Sequence, residues 1–170
     1  MQGRRPTLIW TMSAALALAG AAHAGARSSV SPDGRAVTLF PGERVVVRGV
    51  EGGALVLVSS VRADPASALP PKPGPRGPDA PLPDGAEPGT VAMTLGGDGG
   101  RTVLKLDSGL EQAFDYRAVL RVGNGERAGS VCTVLPLLAS WEEWPYAVAS
   151  VTLSGFATRT TNEVVCDPPK

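Results

Sequence analysis

Phe114-Asp115-Tyr116-Arg117-Ala118-Val119-Leu120-Arg121-Val122 carries the most regular pattern in the chain. Phe114, Tyr116, Ala118, Leu120 and Val122 recur at every second position, and Asp115, Arg117 and Arg121 stand between them. Successive side chains of a strand point to opposite faces, so this spacing puts an apolar row inward and a charged row outward. A surface helix would repeat its apolar residues every three or four positions instead. The stretch predicts a half-exposed strand.

The flanking sequence repeats the theme. Gly123-Asn124-Gly125 begins a turn, and Ser130–Leu135 returns as the next strand. Upstream, Thr90–Leu95 and Thr102–Leu106 flank Gly96-Gly97-Asp98-Gly99-Gly100, which reads as a hairpin with a glycine-rich tip. Further upstream lie Val37–Phe40, Glu43–Val50 and Ala54–Val61, separated by Pro41-Gly42 and Gly52-Gly53. Leu55, Val56, Leu57 and Val58 are consecutive, and such a run predicts a strand buried on both faces. Downstream, Ala147–Ala157 alternates with Val151 and Leu153 inward, and Glu163–Cys166 closes the series.

About eight short strands and no long amphipathic helix predict an all-β fold. The expected architecture is a two-layer antiparallel β-sandwich, immunoglobulin-like in style. A small closed barrel of the lipocalin kind is the alternative.

Residues 64–89 break the pattern with nine prolines. Proline has no N–H to give a sheet ladder, and few large apolar side chains remain here to offset ordering. The segment reads as an exposed, extended, partly polyproline loop. The strands before it are too few to fold alone, so 25–170 is expected to be one β domain.

The first 24 residues read as a signal peptide. Arg4 and Arg5 precede an uncharged apolar run from Leu8 to Gly20, and Ala22-His23-Ala24 offers small residues for cleavage before Gly25. The run is shorter than the roughly 20 residues that span a bilayer. The Arg pair also fits twin-arginine export, but Pro6-Thr7 continues that motif poorly. The sequence therefore predicts a periplasmic or secreted protein with no transmembrane span after cleavage. Losing Arg4 and Arg5 from the 16 basic residues leaves 14 against 16 acidic ones. That balance gives no electrostatic reason to bind nucleic acid.

Cys132 and Cys166 are the only cysteines. In an oxidising compartment such a pair is expected as a disulfide, tying strands across the sandwich. Their wide spacing does not fit a C-x-x-C redox pair.

The only histidine, His23, lies in the expected leader. The remaining chain thus lacks the imidazole of a Ser-His-Asp triad, a Cys-His dyad or a histidine metal site. No catalytic residue, metal ligand or cofactor is assigned from the sequence. Trp141-Glu142-Glu143-Trp144-Pro145-Tyr146 is the leading candidate contact: Trp141, Glu142, Glu143, Trp144 and Tyr146 combine stacking faces with hydrogen-bond acceptors suited to a glycan or cell-envelope peptide. A structural reading competes with it. Ser140 and Glu143 have capping-box spacing for one helical turn that Pro145 would stop, with an indole covering the core. The expected function is a non-catalytic binding or interaction module of the cell envelope. One alternative is an accessory subunit that docks an envelope protein through a strand edge or the proline-rich loop. A carboxylate-dependent hydrolase is the weakest alternative.

Overall fold

The computed structural model describes residues 27–69, 86–98 and 100–167. The expected leader, with Ala22, Ala24 and Gly25, and most of the proline-rich segment lie outside them. In chain order the described residues form β1 (Ser29–Val30), β2 (Ala36–Leu39), β3 (Glu43–Arg48), β4 (Val56–Arg62), β5 (Thr90–Asp98), β6 (Arg101–Ser108) and β7 (Ala113–Val122). There follow β8 (Gly125–Gly129), β9 (Val131–Cys132), β10 (Ala139–Trp144), β11 (Ser150–Arg159) and β12 (Cys166–Asp167). Two 3₁₀ turns, Val50–Gly52 and Pro65–Ala68, flank β4.

The fold is an all-β sandwich. One sheet runs β1-β2-β11-β7-β8, the other β10-β6-β5-β3-β4, and β9 pairs with β12 in a two-stranded ribbon. All the pairings are antiparallel. Neither five-stranded sheet closes on itself, so the barrel alternative falls. The core lies between the sheets. Val37, Leu39, Phe114, Leu120, Val151 and Leu153 enter it from the first, and Val45, Val47, Met93, Leu95, Leu104 and Leu106 from the second. Each buried aliphatic side chain is worth about 1.5–3 kcal/mol in transfer from water.

The alternation of the opening stretch is the alternation of β7. Phe114, Tyr116, Ala118 and Leu120 are buried, whereas Arg117, Val119 and Arg121 are exposed. β11 pairs with it, and a register shift between Ser154 and Ala157 bulges β11 at Gly155 and Phe156. Gly155 has φ +64°, a conformation that a side chain with a Cβ disfavours. The Phe156 ring stacks on Tyr116 with 6.1 Å between centroids.

Four local expectations are corrected. Ala54–Val61 is not a strand buried on both faces: β4 is the edge of its sheet, paired only with β3, and its apolar side chains are exposed. An unbroken apolar run cannot distinguish a central strand from a hydrophobic edge. Ser140–Glu143 is not a helical turn but part of β10, because pairing with β6 outweighs the local cap. The glycine-rich hairpin turns later than its composition suggests, since β5 continues through Gly96 and Gly97 to Asp98. Gly96 is required by close approach: a Cβ there would lie 2.0 Å from the carbonyl oxygen of Pro65. Finally, the proline-rich segment does not start as an extended loop. Asp64 caps the turn Pro65–Ala68 by accepting the Ala66 N–H, and Ala68 is fully buried where this turn packs on β5.

The disulfide joins Cys132 and Cys166 as expected, but not across the two layers. The two cysteines face each other within the β9–β12 ribbon.

Candidate functional site

β10 divides the aromatic-acidic segment between two faces. Directly opposed residues of an antiparallel pair share a face. Glu142 opposes Leu104 and Trp144 opposes Thr102, so both point into the sandwich. Trp141 opposes Lys105 and Glu143 opposes Val103, on the outer side. Only Glu143 of these four is exposed, and its carboxylate pairs with Arg101. Trp141 is half-buried, and its Nε1 is buried without a hydrogen-bond partner among the described residues. Tyr146 follows the strand, half-buried, with the Arg127 guanidinium 5.6 Å above its ring. The structure therefore does not gather Trp141, Glu142, Glu143, Trp144 and Tyr146 on one surface. Two neighbouring carboxylates on opposite sides of a strand cannot flank one glycosidic bond.

The inward pair has structural partners. The Trp144 indole is only 4% exposed, donates to the Ser130 carbonyl at 3.3 Å, and closes the sandwich beside Gly129. Glu142 is only 7% exposed. Its Oε1 accepts the Tyr116 hydroxyl at 3.0 Å and the Cys132 N–H at 2.8 Å. One carboxylate oxygen thus links β10, β7 and β9, joining both sheets and the ribbon. Removal from water pushes the Glu142 carboxyl above its ordinary range, although both hydrogen bonds act in the opposite direction. Burial first, and the neighbouring carboxylate second, raise the Tyr116 phenol well above its ordinary value. Sequence reading missed this knot because its members lie far apart along the chain.

A cavity of about 270 Å³ lies beside it, lined by Asp115, Tyr116, Arg117, Gly155, Thr133 and Val165, among others. It lies where two chain segments fall out of register. Ala118 pairs with Gly129, and Phe114 forms a bridge with Val134. Between these anchors the returning chain has one residue more than β7. Thr133 organises the rim: its hydroxyl donates to Asp115 Oδ1 at 2.7 Å and accepts from Arg159 Nη1 at 3.3 Å. Among the described residues, no group of three or more Cys, Asp, Glu or His side chains is placed to hold a metal ion.

The least expected surface is β4. Val56, Leu57, Val58 and Val61 are 48%, 40%, 50% and 55% exposed on a strand with one unpaired edge. The strand carries no charge until Arg62. Val56 opposes Arg48, and Val61 opposes Arg44, so basic residues bracket the apolar strip. Among the described residues, neither Arg48 nor Arg62 has a carboxylate within ion-pair distance, whereas Arg44 lies 4.0 Å from Asp107. The apolar run was visible in the sequence; its place at an edge was not.

Among the described residues no helix is long and apolar enough to cross a membrane. Comparison with protein-family models, curated proteins and solved structures gives no match.

Proposed function

We propose that this chain is a non-catalytic interaction module of the cell envelope, and that it binds an extended segment of a partner protein along β4. The observation that carries the reading is an apolar strand whose outer backbone groups have no ladder partner. Soluble proteins usually blunt such edges with charge, proline, short length or a bulge, and β4 has only the last, at Val58. Here the seven-residue strand offers main-chain hydrogen bonds for strand addition and apolar side chains for selectivity. Arg48 and Arg62 at its two ends favour a partner segment that is apolar in the middle and acidic at both ends. The expected leader and the disulfide support an exported protein.

A second reading rests on the outer face of β10. Trp141, with its unpartnered Nε1, and the exposed Glu143 could meet a glycan. Two sets of substitutions separate the readings, read by affinity capture and mass spectrometry in the native compartment. Val58→Lys with Val61→Lys is expected to abolish capture of the partner, while Trp141→Ala with Glu143→Gln keeps it. The reverse result would move the contact to β10.

A further inference from the structure

The C-terminal end of the described chain is held almost entirely by the ribbon. Residues 160–167 are all exposed, and Val164 and Val165 remain 52% and 43% accessible. Every resolved anchor of this segment ends on residues 130–133. The Thr133 N–H donates to the Val165 carbonyl at 2.9 Å, and the Val165 N–H donates to the Thr133 hydroxyl at 3.1 Å. The Ser130 hydroxyl donates to the Asp167 carbonyl at 2.7 Å. The two-residue ladder and the Cys132–Cys166 bond complete the set.

The two sides of the ribbon are unequal. On one side Val131 is 5% exposed and Val134 is fully buried, and Cys132 gives its N–H to Glu142, so β9 is rooted in the core. On the other side, β12 buries almost no apolar surface. A two-residue ladder without a hydrophobic face is marginal in water. Local opening follows where buried contacts are few. The covalent bond is therefore the main restraint on β12, and β9 does not depend on it. The same segment supplies Val165 and Asp167 to the cavity lining, together with Asp115, Arg117 and Gly155.

We propose that residues 162–167 form a redox-released strap, which leaves the cavity when the disulfide is reduced while both sheets stay folded. An external dithiol supplies the two electrons and two protons: Cys132 and Cys166 become thiols, and the dithiol becomes its own disulfide. Nothing else in the fold has to move, because Cys132 keeps its hydrogen bond to Glu142 and Val134, just beyond β9, keeps its bridge to Phe114 of β7.

Amide hydrogen exchange on the whole protein, with and without dithiothreitol, tests this. After reduction, exchange within 162–167 and at Thr133 is expected to accelerate at least tenfold, with β5, β6, β7 and β11 unchanged. Unaltered protection of 162–167 after free thiols are confirmed would overturn the proposal. So would loss of protection throughout the molecule. The Cys132→Ser, Cys166→Ser double variant gives an independent check by limited digestion with a glutamate-specific protease. A single new cut after Glu163, with the remainder resistant, supports the strap; general digestion or no new cut opposes it.

Discussion

Glu142 is a buried carboxylate that ties three strands through one oxygen. A carboxylate so far from water is costly unless its lone pairs are occupied. Here a phenol and a backbone N–H occupy those of Oε1. Glu142→Ala leaves both donors buried and unpaired, and is expected to cost about 2–5 kcal/mol in denaturant unfolding. Glu142→Gln keeps an acceptor oxygen for both donors and removes the charge. It should match or exceed the parent protein's stability at neutral pH. The pH dependence follows from the raised carboxyl: the folded protein holds this proton to a higher pH than the unfolded chain does. Stability therefore falls as pH rises from the ordinary glutamate range through the raised value, and Glu142→Gln should flatten that stretch of the profile. The same scale sets a reference in the core, where Phe114→Ala is expected to cost about 3–5 kcal/mol. None of the Glu142 geometry is legible locally. A glutamate between two tryptophans reads as surface, because Tyr116 and Cys132 meet it only through the fold.

At the level of elements, legibility followed periodicity. β7 was readable because its two faces differ, one apolar and one charged. β10 was not, because Trp141, Glu142, Glu143 and Trp144 put one aromatic and one carboxylate on each face, leaving the local cap as the only signal. β4 failed for a third reason: its run of valine and leucine carries no alternation, so it is equally consistent with burial and with an edge. Its exposure has a consequence for mutation. Val58→Lys and Val61→Lys, at positions half in water already, should change stability by no more than about 0.5 kcal/mol each, while removing partner capture. Gly96→Ala is expected to act in the opposite way. The added Cβ collides with backbone at Pro65, so the turn Pro65–Ala68 must lift from β5. Thermal unfolding would show this as a lowered midpoint, by an overpacking cost of about 1–3 kcal/mol.

Across the whole molecule, one apolar core joins eight of the ten strands of two sheets, β4 and β8 adding no residue to it, and the ribbon hangs from its edge. The all-β class and the cysteine pairing were both readable in advance, since strand spacing and an even cysteine count need no tertiary information. Where the disulfide sits was not readable, because that depends on how β8 and β9 return along β7. With the core continuous and the bond peripheral, the oxidised protein should unfold in one cooperative transition. The proposed docking rests on β4, the sheet edge that exposes Val56, Leu57, Val58 and Val61. The direct measurement places a photoreactive benzophenone side chain at Val61 or, separately, at Trp141, and maps the adducts formed in the native compartment by mass spectrometry. The expected result is adducts from position 61 on one extended segment of one protein, apolar between acidic residues, with none from position 141. Adducts from position 141 alone, adducts between two copies of this chain, or no adduct from position 61 would contradict β4 as the docking edge.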